Sequence, residues 1–159
     1  MNDKIFQAIR LGENIVFEKL LSTTDINTLN ESKQNLLQHA ISYKNTKAST
    51  LLIDKAINLN HQDDRGYSAL HYCSLYKDVD TCNKILRNIN VLVNIKDAHG
   101  NSPLWTAVLN SKETYDIVNL LVRHGGNPYS VNNVGKSPFD FAKQINDLNL
   151  MKVLDPNSE

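Results

Sequence analysis

The stretch DAHGNS at 97–102 sets Asp97, His99 and Ser102 within six positions of one another, the residue types of an acyl-transfer triad. A working triad needs a base aimed at the hydroxyl and a third group that orients the base. Around Gly100 and ahead of Pro103, these three residues read instead as a turn running into a helix, with Asp97 binding local backbone and Ser102 capping the N–H groups that follow. The tripeptide GKS at 135–137 has the ending of a phosphate-binding loop, but Ser130 stands where that motif needs its first glycine, and Pro138 follows. His39, His61, His71, His99 and His124 are scattered, and neither C-x-x-C nor H-E-x-x-H occurs, so no metal site is expected. Asp63 with Asp64 and Asp78 with Asp80 are carboxylate pairs of the kind that can divide acid and base roles. With no apolar pocket to raise one pKa, they read as solvated turn residues. No residue set supports a reaction, so the chain is expected not to be an enzyme and to need no cofactor.

The elements that position these residues recur. DDRGYSALHYCSLYKD at 63–78 aligns with DAHGNSPLWTAVLNSK at 97–112 and with NNVGKSPFDFAKQIND at 132–147. Gly66, Gly100 and Gly135 hold one register. Leu37, Leu70, Leu104 and Phe139 hold a second, and Ala8, Ala40, Cys73, Ala107 and Ala142 a third. Each unit opens on a glycine turn, passes through Ser68, Ser102 or Ser137 as a cap, and enters a short helix with a small residue on its packed face. Apolar residues at three- and four-residue spacing in KASTLLIDKA, DTCNKILRNI and YDIVNLLVRHG mark second helices, the last ended by Gly125. One helix pair cannot bury its own face, so the units must stack.

The totals exclude other classes. Seventeen basic residues offset seventeen acidic ones in 159 residues, and no run of Lys or Arg forms a stripe for phosphates or anionic lipid, so neither nucleic acid nor membrane is an expected partner. Charges in MNDKIFQAIRLGEN stand where a signal peptide needs its apolar core, and a cytoplasmic location is expected. Cys73 and Cys82 read as reduced thiols on helices.

These motifs resemble the ankyrin-repeat family, whose pattern D-x-x-G-x-T-P-L-H-x-A is followed by a second helix ending L-L-x-x-G-A-D-x-N. DDRGYSALHYC, DAHGNSPLWTA, LLIDKAINLN and LLVRHGGNPY carry the likeness. The resemblance implies an all-α solenoid of stacked helix-turn-helix units with projecting hairpin-like turns. It forms a single domain of five repeats at roughly 1–29, 30–62, 63–96, 97–131 and 132–159, degenerate at both ends as capping repeats are. The family's helix-ending glycine is kept at Gly12 but replaced by Lys44, Lys77, Ser111 and Asn146, and SKETYD at 111–116 carries about two extra residues. His71 falls on the family's structural histidine, and Trp105 takes that position in the next unit as a packing residue that cannot accept a hydrogen bond through its ring nitrogen.

What the family implies for function is the binding of one protein partner on a concave face of turn tips and first helices. Carried over residue by residue, the tips contribute Asp64, Arg65 and Tyr67, then Ala98, His99 and Asn101, then Asn133, Val134 and Lys136. First helices contribute Arg10, Leu11, Ser42, Tyr43, Leu75, Tyr76, Leu109, Asn110 and Gln144. Tyr43, Tyr67 and Tyr76 are expected to form an aromatic ridge with Arg10 and Arg65 as anchors, side chains of the type enriched at interface hot spots. A chain made almost wholly of repeats, monomeric when free, reads as an inhibitor. The expectation is a bacterial immunity protein that neutralises a cognate toxin acting in the cytoplasm. The alternatives are a secreted bacterial effector or a viral or eukaryotic regulator of a host protein. No secretion tail is evident in MKVLDPNSE.

Overall fold

The computed structural model describes residues 3–112 and 114–156, and among these it contains ten helices in five consecutive pairs. The pairs are α1 (Asp3–Leu11) with α2 (Asn14–Leu21), α3 (Leu36–Ser42) with α4 (Thr46–Asp54), α5 (Ala69–Tyr76) with α6 (Val79–Leu86), α7 (Pro103–Leu109) with α8 (Asp116–Arg123), and α9 (Pro138–Gln144) with α10 (Leu148–Leu154). First helices pack on first helices and second helices on second helices from unit to unit, giving a two-layered all-α solenoid.

Side-chain caps start several of the helices. Ser102 and Ser137 accept the backbone N–H three residues on, and Pro103 and Pro138 occupy the first turn, where a missing N–H costs nothing. Of the second helices, α4, α6 and α10 are capped by Asn45, Asp78 and Asp147, each accepting a backbone N–H, so half-buried Asp78 is a helix cap and not a solvated turn residue; α2 and α8 start without a side-chain cap. The chain reverses between helices through a left-handed residue: Gly12, Lys44, Lys77 and Asn146 have φ of +71°, 55°, 56° and 53°. In the fourth unit that residue is Lys112, at 41°, and not Ser111. The longer SKETYD loop moves the reversal one position along; its Glu113 lies outside the described residues.

The core follows the registers. Leu37, Leu70, Leu104 and Phe139 are buried, and Ala8, Ala40, Cys73, Ala107 and Ala142 keep the packed face of each first helix small. Cys73 and Cys82 are buried and unbridged. Burial, with the Cys82 thiol beside it, pushes the Cys73 thiol well above the usual thiol range.

The turns are built alike. Asp63 Oδ1 accepts the N–H groups of Arg65 and Tyr67 at 2.9 and 2.8 Å, Asp97 Oδ1 those of His99 and Asn101 at 2.8 Å each, and Asn132 Oδ1 those of Val134 and Lys136 at 3.2 and 3.0 Å. Asp97 is therefore a turn former. Adjacent tips are joined through the backbone: Asp64 N–H donates to the Ser32 carbonyl at 3.3 Å, Ala98 N–H to Arg65 at 3.0 Å, and Asn133 N–H to His99 at 3.0 Å. Behind the tips, Asn60 Nδ2 donates to the Asn90 carbonyl and its Oδ1 accepts Leu92 N–H, both at 2.8 Å. Asn94 does the same one unit later with the Gly125 carbonyl and Asn127 N–H, again at 2.8 Å. Each of these three tips thus ties one backbone N–H to the unit before it, and the remaining turn amides are satisfied within the tip by its own Asp or Asn.

Candidate functional site

The surface formed by first helices and turn tips is positioned by side chains that cross from one unit to the next. In α3, Gln38 Oε1 accepts Asn35 N–H at 2.8 Å, and Nε2 donates to the carbonyls of His61 at 2.8 Å and Tyr67 at 2.6 Å. In α5, His71 repeats the arrangement: Nδ1 accepts Ser68 N–H at 3.1 Å and Nε2 reaches the Asn101 carbonyl at 3.1 Å. A ring nitrogen that accepts from a backbone N–H carries a lone pair, so the His71 proton sits on Nε2 and the ring is neutral. Trp105, at the same register in α7, makes no such bridge. Its Nε1 is buried without an acceptor, and its ring packs 5.3 Å from that of Phe141, as a packing residue does.

Burial lowers the pKa of His71, against the opposing pull of the Asn101 carbonyl, Asp97 and Asp63. Burial lowers that of His39 too, opposed by the Phe6 carbonyl and assisted by Arg10. A histidine kept neutral on folding contributes stability above its unfolded pKa near 6.5, and that contribution is lost as pH falls below it, at up to about 1.4 kcal/mol per pH unit. Because Gln38 shows that a glutamine makes the same bridge without titrating, His71→Gln is expected to match the wild type at pH 7.5 and to lose less stability at pH 5.5. Urea unfolding at the two pH values checks this; parallel losses in both proteins would remove His71 from the acid response.

A polar cluster lies under the third tip. The Tyr72 hydroxyl donates to Asp63 Oδ2 at 2.5 Å and accepts from Arg65 Nη2 at 2.7 Å and Gln34 Nε2 at 2.6 Å. Burial and the Asp63 carboxylate push Tyr72 up to about 12. Asp63 is thus buried and fully engaged, which corrects its reading as a solvated partner of exposed Asp64. Arg65 lies back over the Tyr67 ring, 4.6 Å from its centroid, and faces Asp63 at 3.5 Å.

The expected binding residues therefore divide. Arg10, Leu11, Tyr43, Asp64, Tyr76, His99, Leu109, Val134 and Lys136 are exposed. Arg65 is exposed as well but held by the rings beneath it. Leu75 is half-buried. Half-buried Tyr67 stacks on His71 at 5.2 Å, so its ring serves the turn. The three tyrosines of the expected ridge fall into two groups: Tyr43 packs with Phe6 and His39, and Tyr67 and Tyr76 pack with Tyr72. Two amides are spent internally. Asn101 accepts from Asn132 Nδ2 at 2.9 Å, and Asn110 donates to the Thr106 carbonyl at 2.7 Å. Arg10 lines a pocket of about 390 Å³ with Asp3, Phe6, Gln7, Glu31 and His39.

Among the described residues no three His, Cys, Asp or Glu side chains gather in metal-binding geometry, and no helix is long and apolar enough to cross a membrane.

Comparison with known proteins matches the family model for ankyrin repeats in three copies to residues 5–97, and that for the single ankyrin repeat to 99–133. An ankyrin repeat protein of Acanthamoeba polyphaga mimivirus is 27% identical over 86% of this chain and 18% of its own length. A protein named as a serine/threonine-protein kinase of Dictyostelium discoideum is 29% identical over 86% of this chain and 13% of its own. An ankyrin repeat protein of Fowlpox virus is 24% identical over 95% of this chain and 26% of its own. The chain spans about a quarter or less of the length of these relatives.

Proposed function

Because the chain belongs to the ankyrin-repeat family, we propose that it is a non-enzymatic binding module that covers and blocks one protein partner with its first helices and turn tips. The observation that carries this reading is the division of labour across the first helices and turn tips. Backbone and buried polar groups are spent on neighbouring units, while Leu11, Tyr43, Tyr76, Leu109 and Val134 stay exposed on a rigid frame. Prearranged side chains bind without a large ordering cost, and five units are enough for an interface of roughly 1,200–2,000 Å².

The partner in this reading is a toxin acting in the cytoplasm, and the chain its monomeric immunity protein. A second reading, a regulator of a host protein, is favoured by the viral origin of two relatives.

Affinity capture from the native cell, wild type beside Tyr43→Ala/Tyr76→Ala, identifies the partner, and calorimetry measures it. The double variant is expected to bind roughly 100-fold more weakly, the loss of two moderate hot spots, with its melting temperature little changed. Undiminished binding would move the interface elsewhere. A captured toxin supports immunity, and a captured host protein supports the regulator.

A further inference from the structure

Three residues after the small buried register of each first helix, where the chain reverses, stand Leu11, Tyr43, Tyr76, Asn110 and Ile145. Four of the five are large aliphatic or aromatic side chains, and they leave 57%, 48%, 36% and 48% of their surface exposed. In the fourth unit, where Asn110 interrupts the row, Leu109 beside it is 62% exposed. Apolar side chains scattered singly on a surface need no explanation; a row that recurs once per unit through the whole stack does.

The charge along this row has one sign. The registers of Tyr72, Leu75, Tyr76 and Lys77, followed through all five units, contain no Asp or Glu, and the charged residues they do contain are Arg10, Lys44 and Lys77. Arg10 shares its pocket with Asp3 and Glu31, whereas exposed Lys44 and Lys77 make no ion pair among the described residues. Lys77 Nζ donates to the Ser111 carbonyl at 3.2 Å, a neutral acceptor that leaves its charge unbalanced. Of the acids one position further along, Asp78 and Asp147 are half-buried helix caps, and Glu13, in the first unit, is exposed.

The row also limits what can lie on it. Ser42 Oγ donates to the Gln38 carbonyl at 2.8 Å and Asn110 Nδ2 to the Thr106 carbonyl at 2.7 Å, so these polar side chains are spent on their own helices. An extended segment laid here would bury backbone N–H and C=O groups without partners, whereas a helix satisfies its own. Packed helices lie about 8–10 Å apart, and an α-helix advances about 10.5 Å in seven residues, close to two full turns. A helix running along the stack therefore brings one face back to each unit once per heptad.

We infer that the row seats an amphipathic helix of the protein partner, lying along the stack, with an apolar side chain every seven residues against Leu11, Tyr43, Tyr76, Leu109 and Ile145 and with carboxylates beside Lys44 and Lys77. The inference rests on the protein-binding reading and adds to it the shape and charge of what is bound. Reaching from the first unit to the fifth takes about 28 residues, or four heptads.

The test uses the full chain and a fluorescein-labelled synthetic peptide of four heptads, with leucine at every seventh position, glutamates beside it and alanine elsewhere. Three controls accompany it: the same composition with leucine at every fifth position, the heptad peptide with lysine for glutamate, and a proline-rich peptide with leucine at every third position. Fluorescence anisotropy is expected to show the heptad glutamate peptide binding roughly ten-fold more tightly than any control, through matched apolar contacts and charge attraction. Lys44→Glu/Lys77→Glu is expected to reverse the preference for glutamate over lysine. Tyr43→Ala/Tyr76→Ala and, at the far end of the row, Ile145→Asp are each expected to weaken binding roughly ten-fold. All these substitutions fall on exposed positions, and melting curves verify that the variants are folded. No binding, equal binding of the five- and seven-residue spacings, tighter binding of the proline-rich peptide, or indifference to Ile145→Asp overturns the assignment. If the heptad peptide fails while Tyr43→Ala/Tyr76→Ala still loses the captured partner, the helix is overturned and the protein-binding reading stands.

Discussion

Gly66→Ala lowers the stability of the folded chain by about 3 kcal/mol, roughly three times the cost of Gly135→Ala. Both glycines have left-handed backbone, with φ of +77° and +72°. Any L-residue pays about 1–2 kcal/mol there, less the several tenths regained because alanine has fewer unfolded conformations. At Gly135 a new Cβ meets nothing within 4 Å, so only that term applies. At Gly66 it would stand 2.8 Å from the Ala98 nitrogen and 3.0 Å from two backbone carbons of Asp97. None of these atoms can rotate away. Ala98 N–H is also the donor that ties this tip to the Arg65 carbonyl, so relief of the clash must stretch the tie between units. Overpacking of this kind adds about 1–3 kcal/mol. Urea unfolding of the two variants reads the difference directly; equal losses would mean that the tips do not touch in solution.

Tyr72→Phe is expected to cost about 2–3 kcal/mol, a large effect for the removal of one oxygen. The phenylalanine keeps the buried ring volume, so the loss is polar. Asp63, with a wholly buried side chain, loses its donor at Oδ2 and retains Arg65 there only at 3.5 Å, while Arg65 and Gln34 lose their acceptor. A hydrogen bond to a buried charge carries more than a neutral one, and the carboxylate left behind supplies most of the penalty. The wild type has a second signature. Its Tyr72 ionises near 12 when folded and near 10 when unfolded, so stability present below pH 10 declines as the pH rises from 10 toward 12. Alkaline unfolding of the variant should lack that contribution; an identical profile would show that the phenol is not held by Asp63.

How much of this was legible varies residue by residue. The Asp97 turn could be read from its own stretch because every partner lies within four positions. Asp63 has the same local bonds, yet its burial depends on Tyr72 nine residues away, at a position where the other units carry His39, Thr106 and Phe141. No repeat register announces it. Gln38 was detectable, one residue after Leu37 as His71 is one after Leu70, and so were Asn60 and Asn94, each three residues before the turn aspartate. The register of Tyr67 is that of a tip, which assigns it to the outer surface. The stacking of its ring on His71 is a rotamer choice that spacing does not encode.

The ties between units described above, from the tip backbone to Asn60 and Asn94, run between neighbours along the stack. In hydrogen-exchange terms the five units act as a zipper, in which the outer pairs among the described residues each pack on a neighbour from one side. Amides of α1 and α10 open by local fraying, whereas those at the centre of α5 wait for flanking units to come away, so protection should fall from the middle outward. A ligand that grips two adjacent units acts as a clasp on that zipper, and its footprint would be recorded as protection reaching beyond the residues it touches.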